Sequence, residues 1–458
     1  MAAGEGTRMR SSVPKVLHPV CGRAMIAWPV LAAREAGVDR VAVIVSPNRD
    51  LSGSLPDDVE TVVQPESDGT GGAVRAAIEI VRESDQVLVL SGDVPLVSAE
   101  VIGDLLGSHS ASGASATVMT AILEEPGAYG RVVRDADGAV EKIVEAKEAG
   151  DATEAELQIK EINSGTYVFA GESLASALGE VGNDNAQGEF YLPDVLAIMR
   201  GRSELVSAHI SADAAINLGV NNRADLAVVE AEARLRILRR HMMAGVTIVD
   251  PNSTWIDADV SIGPDTRIEP GTSLRGATEI GAGATIGPHS TITDSGIGAG
   301  SVVIHSYLNL CELLENCQVG PFAYLRPGAS LADGAKVGTF VEVKNSNIGE
   351  GAKVPHLSYI GDADIGEGAN LGAGTITANY DGRNKHRTVI GPGAKLGVST
   401  MLVAPVEVGA GAYTGAGAVI RQDVPPNALA VSKGDQRNMD DYVKRLEDRE
   451  TEEEDKPS

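Results

Sequence analysis

Between about residues 260 and 430, branched apolar residues recur at every sixth position: Ile262, Ile268, Leu274, Ile280, Ile286 and Ile292. The beat returns at Val319, Leu325, Leu331, Val337 and Val343, and again at Ile390, Leu396, Leu402 and Val408. Period six matches neither a helix face (3.6) nor an alternating strand (2). It matches a coil that turns a corner every six residues, with one branched residue per segment pointing inward. Three segments close a triangular turn, and successive turns stack through parallel strand hydrogen bonds. Many of the branched residues precede glycine, as in Ile262-Gly263, Ile280-Gly281, Val337-Gly338 and Leu396-Gly397. The pattern assigns these glycines to the corners, for the backbone angles a corner needs. The beat shortens to five between Ile292 and Ile297, is obscured across 309–316, and breaks at 377–388. An insertion cannot sit inside such a coil, so 377–388 is expected to protrude as a loop, where binding groups gather.

Residues 1–220 read differently. Strands are predicted over 40–46, 59–64, 86–90, 114–122 and 162–169, and helices over 72–82, 99–109 and 191–200. That alternation implies an α/β domain with a mostly parallel sheet, with ligands beyond the carboxyl ends of the strands. Leu226, Val229, Ala233, Ile237 and Arg240 fall near helical spacing, so 222–245 is predicted as one helix ending at Gly245. Its basic run, Arg234, Arg236, Arg239, Arg240 and His241, reads as a solvated face. The strongly acidic, apolar-poor end of the chain reads as a disordered tail.

Composition narrows the function. The net charge of −26 argues against nucleic acid as a partner, because phosphate binding needs a basic surface. Any anionic ligand must then be held by a local basic cluster. Three cysteines (Cys21, Cys311, Cys317) offer no disulfide framework, which points to a reducing cytoplasm. No run of 18 apolar residues predicts membrane insertion. Aromatics make up only 3% of the chain, as suits a narrow core of Ile, Val, Leu and Ala.

The candidate chemistry lies in short motifs. The chain opens on Ala2-Ala3-Gly4-Glu5-Gly6-Thr7-Arg8-Met9, a small-residue loop that is neither a P-loop nor a dinucleotide fingerprint. Pro14-Lys15 follows. Ser91-Gly92-Asp93-Val94-Pro95-Leu96 places a carboxylate just past an apolar strand, suited to Mg²⁺ with a triphosphate or to a plain turn. In the coil, Arg326 and Lys344 are 18 residues apart, one full turn, and so should stack on one face as an anion site. His356 lies 12 residues on from Lys344 and, taken alone, could be purely structural.

Together with Glu161-Ile-Asn-Ser-Gly165 and Gly219-Val-Asn-Asn222, the amino-terminal motifs resemble those of the sugar-1-phosphate nucleotidyltransferases. Joined to the six-residue coil, residues 1–435 resemble the bacterial bifunctional N-acetylglucosamine-1-phosphate uridyltransferase/glucosamine-1-phosphate acetyltransferases. The resemblance implies an α/β fold: a Rossmann-like nucleotidyltransferase domain (1–220), a linker helix (221–245), a left-handed parallel β-helix acetyltransferase domain of hexapeptide repeats (246–435) and a charged tail (436–458). It further implies a cytoplasmic homotrimer that uses Mg²⁺, with UTP and acetyl-CoA as co-substrates of N-acetylglucosamine-1-phosphate and glucosamine-1-phosphate.

The resemblance also assigns residues. UTP and UDP-N-acetylglucosamine contacts fall on Ala2, Ala3, Gly4, Arg8, Lys15, Gln64, Gly69, Thr70, Gly130, Glu145, Asn163 and Asn221, with Asp93 and Asn221 on the metal. Arg326, Lys344, Tyr359 and Asn370 would hold the amino-sugar phosphate, and His356 would be the general base of acetyl transfer, as an imidazole can be near neutrality. Acetyl-CoA contacts fall on Ala373, Asn379, Tyr380, Ser399, Ala416 and Lys433. Three departures stand out. Ser91 replaces the family's usual tyrosine, and Gly72 its usual histidine before alanine. The family loop follows an apolar strand, whereas this chain opens at the loop, so the sheet is expected to lack its first strand, keep two unpaired edges and be a weak uridyltransferase.

Two other readings stay open: a single-function nucleotidyltransferase with a purely structural, trimerising β-helix, and a non-enzymatic scaffold. A metal-dependent hydratase would need clustered histidines, and only His356 and His386 lie in the later coils.

Overall fold

The structure is a computed structural model that describes residues 1–4, 6–47, 49–51, 53–146, 152–184, 188–432, 434, 436 and 438–445. It divides into two compact units: Met1–Ala244 with Trp255–Val260, and Gly245–Thr254 with the chain from Ser261 onward. Most of the predicted tail, from 446, lies outside the described residues, as does Lys433.

In the first unit the predicted strands are found as β1 (Ala42–Val45), β2 (Glu60–Val63), β3 (Gln86–Val89), β4 (Ala116–Ile122) and, after β5 (Arg131–Arg134) and β6 (Val140–Val144), β7 (Glu161–Ala170). β8 (Val206–Ile210) completes the set. The expected mostly parallel sheet is mixed instead. β1 runs parallel to β2 and β8 to β4, but β7 pairs antiparallel with β3, β4 and β5, and β5 with β6. The long β7 is the organiser, because its buried run Thr166–Phe169 offers apolar contact to both faces. Leu174, Leu178, Leu196 and Met199 of the flanking helices close over it, with Phe169 fully buried among them.

Among the described residues, β1 pairs only with β2, and β3 only with β7. An apolar slot of ≈ 160 Å³, lined in part by Val43, Val87, Leu88 and Val81, separates β1 from β3. Met1 and Ala2 bridge its end. The Met1 amine donates to the Leu90 carbonyl (2.8 Å), Gly92 N–H donates to the Met1 carbonyl (2.8 Å), and Ala2 N–H donates to Ile44 (2.8 Å).

The predicted linker helix spans Arg223–Met243. Asn222 caps it by accepting from the N–H groups of Ala224 and Asp225, and Asp225 returns the bond, a reciprocal capping box. Its arginines are only partly the solvated face expected: Arg239 and Arg240 are exposed, while Arg234 and Arg236 are half-buried. Arg236 reaches Glu232, Asp213 and the Leu96 carbonyl, Arg240 reaches the Ala258 carbonyl, and Arg234 stacks over Trp255. In an acidic chain these cations find partners inside their own unit. No described helix is long and apolar enough to cross a membrane.

The second unit is a parallel β-helix of strands mostly two or three residues long. The six-residue beat marks its interior: Ile268, Leu274, Ile286 and Ile292 are fully buried, and only Ile262, at the start, is half-buried. The glycines after the branched residues have a different cause from the one expected. Gly281 and Gly397 keep ordinary backbone angles, but a Cβ on either would lie 2.6–2.7 Å from the next coil's backbone nitrogen. They are needed for close stacking of the coils. The left-handed corner positions are taken by other residues, including Asp265, His305, Phe322, Phe340 and Leu357.

His241 on the linker helix is buried, its Nε2 meets no hydrogen-bond partner, and burial, followed by the nearby Arg240, lowers its pKa to about 4. The unfolded chain therefore binds a proton between pH 6.5 and 4 that the folded chain excludes, so stability falls as pH drops through that window. The shift corresponds to on the order of 3 kcal/mol. Urea midpoints at pH 7 and pH 4.5 should differ less for His241→Gln than for the parent; an identical pH dependence would remove His241 as the cause.

Candidate active sites

In the first unit, three backbone features gather the amino-terminal motif. Ala2 and Ala3 are buried against β1, Arg49 Nη1 donates to the Gly4 carbonyl (2.6 Å), and Gln64 N–H donates to Val45 (2.8 Å). The result is a cleft of ≈ 320 Å³ lined by Ala3, Ser46, Pro47, Arg49, Gln64, Pro65, Glu66 and Ser67. Gln64 is turned inward; its amide donates to Asp68 (2.7 Å) and to the Gly69 carbonyl (3.2 Å). Gly69 precedes the helix Thr70–Ala76 at φ 101, and Thr70 Oγ1 accepts from Leu192 N–H. The same corner explains Gly72. A Cβ there would sit 1.8 Å from an Asp68 carboxylate oxygen, so Asp68 fills the space of a larger side chain.

Beyond the end of β3, Val220 N–H donates to the Asp93 carbonyl (2.9 Å), which brings Asp93 and Asn221 to one place. Each carries a cation. Lys15 Nζ lies 2.5 Å from Asp93 Oδ2, and Arg8 Nη2 donates to Asn221 Oδ1 (2.8 Å). A carboxylate and an amide oxygen brought to one place are hard-oxygen donors of the kind that Mg²⁺ takes. The predicted sugar residues also converge: Asn163 N–H donates to the Gly130 carbonyl (2.9 Å), and Asn163 Nδ2 donates to Tyr167 Oη (2.7 Å). Glu145 follows β6, the neighbour of β5, and its charge joins burial in raising the Tyr167 pKa.

In the β-helix, register decides what meets. Tyr324 pairs with Glu342 and Glu342 with Tyr359, so Arg326, Lys344 and Gly361 stack at the carboxyl ends of three successive strands. The one-coil spacing of Arg326 and Lys344 therefore does place them together. Gly361 has to be glycine: a Cβ would meet Tyr359 Oη at 2.4 Å and Asn379 Nδ2 at 2.8 Å. The missing side chain lets those two polar groups enter.

The loop after Ile376–Ala378 protrudes as expected. It is closed by an antiparallel bridge between Tyr380 and Lys385, and Asp381 holds its turn by accepting from Arg383 and Asn384 N–H groups and from His386. Arg387 grips Asp364 with two guanidinium nitrogens. Asn379, nearly buried, turns inward to donate to Asp362. The loop also delivers Lys385 to Lys344, a meeting that the sequence did not indicate. A basic residue on an insertion carries no register, so only the folded loop shows where it lands. Burial works against the Lys344 charge, yet the Asp362 carboxylate at 3.2 Å outweighs this and holds its pKa above the ordinary lysine value. Lys385 is lowered, first by its bond to Lys344 and then by that neighbour's charge.

His356 ends the strand Lys353–His356 at the corner before Tyr359–Gly361. By register, His356, Ala373 and Ala416 form one column along this corner, and Ser399 lies beside it, with its N–H on the Ala373 carbonyl (2.7 Å). His356 thus stands across a three-residue strand from the cations, roughly 7–10 Å away at ~3.3 Å per residue. Asn370 is not brought to the cations; it starts a strand on the sheet that carries His356 and is exposed.

A MobA-like NTP transferase domain model matches residues 1–190, and a bacterial transferase hexapeptide model of six repeats matches 259–294. Fold and matches together define a nucleotidyltransferase followed by a hexapeptide-repeat acyltransferase. The bifunctional protein GlmU of Geobacillus sp. (strain WCH70) is 48% identical over 448 residues, 97% of each chain. Those of Kineococcus radiotolerans and Mycobacterium marinum are 49% and 47% identical over 97% of this chain, and over 91% and 92% of theirs. The chain belongs to the GlmU family and is a bifunctional enzyme, uridyltransferase and acetyltransferase.

Gly361→Ala tests the β-helix site. The added methyl should displace Tyr359 and Asn379 and cut acetyl transfer about ten-fold or more, while uridyl transfer stays at the parent rate. Unchanged acetylation would mean that the space above Gly361 is not used.

Proposed function

We propose that the chain makes UDP-N-acetylglucosamine in two steps, acetylating glucosamine-1-phosphate in the β-helix and then joining the product to uridylate in the first unit. The observation that carries the first step is the cluster Arg326, Lys344 and Lys385 in a protein of net charge −26, one strand's width from an exposed imidazole. The cations bind the phosphate, with Arg326 offering a planar pair of donors. Tyr359 and Asn379 position the sugar. The 2-amino nitrogen attacks the thioester carbonyl of acetyl-CoA, the C–S bond breaks, and coenzyme A leaves as the thiolate. His356 takes the amine's proton. Ala373, Ser399, Ala416 and Tyr380, along the corner and loop, take the coenzyme; Asn370, on that sheet, belongs with this side of the site.

In the first unit, an oxygen of the sugar phosphate attacks the α-phosphorus of UTP, and the bond to the β-phosphate oxygen breaks to release pyrophosphate. Positioning and charge neutralisation suffice, without a protein nucleophile. Ala2, Ala3, Gly4, Gln64, Gly69 and Thr70 frame the nucleotide, while Gly130, Glu145 and Asn163 orient the sugar. Lys15 and Arg8 pass from Asp93 and Asn221 to the phosphates. Asp93 and Asn221 would hold Mg²⁺, which neutralises triphosphate charge when bound.

His356→Ala should lower acetyl transfer about 10²-fold or more and leave uridyl transfer intact; Asp93→Asn should do the reverse. Thiol release and pyrophosphate release, assayed on the same samples, check both, and loss of both activities in either variant would refute the division of labour.

The working form is a cytoplasmic homotrimer. The support is an apolar ladder on the corner beside His356. His305 tilts against Phe322 and Phe322 stacks on Phe340, with centroids 4.6 and 5.4 Å apart, and Phe322, Phe340 and Leu357 are 50%, 59% and 61% exposed. A second copy covering this corner would also cover the base. Phe340→Glu should give monomers by light scattering together with reduced acetylation; an intact trimer would place the contact elsewhere.

A further inference from the structure

One carboxylate bonds Lys344 of the proposed phosphate site and Asn379 beside it without being an evident ligand of phosphate. Asp362 sits at a corner with φ 51 and is only 7% exposed. Lys344 Nζ lies 3.2 Å from both of its oxygens, Asn345 Nδ2 donates to Oδ1 (2.6 Å), and Asn379 Nδ2 donates to Oδ2. Its backbone joins in: Asp362 N–H donates to the Lys344 carbonyl (3.0 Å), and Thr388 N–H donates to the Asp362 carbonyl (3.1 Å). A single residue thus grips the preceding coil, the start of the inserted loop and its end.

We infer that Asp362 is a positioning residue for amino-sugar phosphate binding: it holds Lys344 and Asn379 in fixed relation and so sets the loop that carries Lys385 against Lys344. This rests on the acetyl-transfer reading above. Two ammonium groups cannot be brought together without a counter-charge, and before phosphate arrives Asp362 is the carboxylate that faces both. A carboxylate beside an anion site is unfavourable by charge alone, so its presence calls for a geometric reason. The neighbouring Asp364 provides a contrast. It also ties down the loop, through Arg387, and takes a bond from Asn347, but it holds neither lysine. The surroundings of Asp362 reinforce its charge. Burial opposes ionisation, but the bonds from Asn345, Asn379 and Lys344 outweigh this and keep its pKa below the ordinary value.

The sign of the effect separates positioning from simple electrostatics. Asp362→Asn removes a negative charge next to the phosphate, so charge alone would lower the KM for glucosamine-1-phosphate. Positioning predicts the opposite: KM rises about ten-fold, with the KM for acetyl-CoA unchanged. The alkaline limb of kcat/KM should also move toward neutral pH, because two ammoniums left without their carboxylate lose a proton sooner. Asp364→Asn should keep the parent's alkaline limb even if it melts earlier. Asn345→Ala, which leaves all charges in place and frees one side of Asp362, should raise the sugar KM by a smaller factor, and it carries the test if Asp362→Asn does not fold. An unchanged or lowered sugar KM with an unmoved pH profile would overturn the inference. Failure of the parent enzyme to release thiol from acetyl-CoA with glucosamine-1-phosphate would instead overturn the reading beneath it.

Discussion

The second unit depends on a parallel hydrogen-bond ladder that sets each coil one turn above the last. Each strand contributes very little: typically one branched residue inward and one or two side chains outward. What it contributes reliably is register. Tyr324, Glu342 and Tyr359 lie in line because the ladder allows no slip without moving an inward residue out of the core. Arg326 and Lys344 meet for the same reason, and Gly361 follows them in the column. Residues about 18 apart in the chain become neighbours as regularly as residues four apart do on a helix.

That regularity explains what could be read beforehand. The six-residue beat located the interior, the spacing of Arg326 and Lys344 located their meeting, and the break after Ile376 located the loop. Where the rule ends, legibility ends too. Lys385 rides on an insertion, and its meeting with Lys344 depends on the turn built by Asp381 and on the grip of Asp362 and Asp364. The glycines after Ile280 and Leu396 were visible, but their reason was not, since close approach between coils leaves the same residue type as a strained corner does. Arg236 of the linker helix was misread because helical spacing records which face a residue occupies, not whether carboxylates wait opposite.

The first unit was less legible, for a related cause. Strand positions follow from apolar runs, but direction depends on which strand pairs with which. β7 pairs antiparallel with three neighbours, and nothing local in Glu161–Ala170 announces it. The motif residues fared better. Asp93 and Asn221 come together through one backbone bond from Val220, and each is already matched with a cation. Both proposed sites share this device: lysines and arginines wait on internal acceptors, pre-placed and neutralised, in a chain whose overall charge repels anions.

A stack held together coil by coil has a thermodynamic geometry of its own. Each coil is stabilised mainly by the two it touches, so opening is easiest at the extremities, where one neighbour is absent. Ile262, half-buried at the start of the beat, shows this thinning directly. Arg326, Lys344, His356 and Asp362 occupy interior coils, with repeats stacked on both sides. Fraying from the start of the stack can therefore run inward some distance before these residues are disturbed, and the earlier repeats act as their insulation.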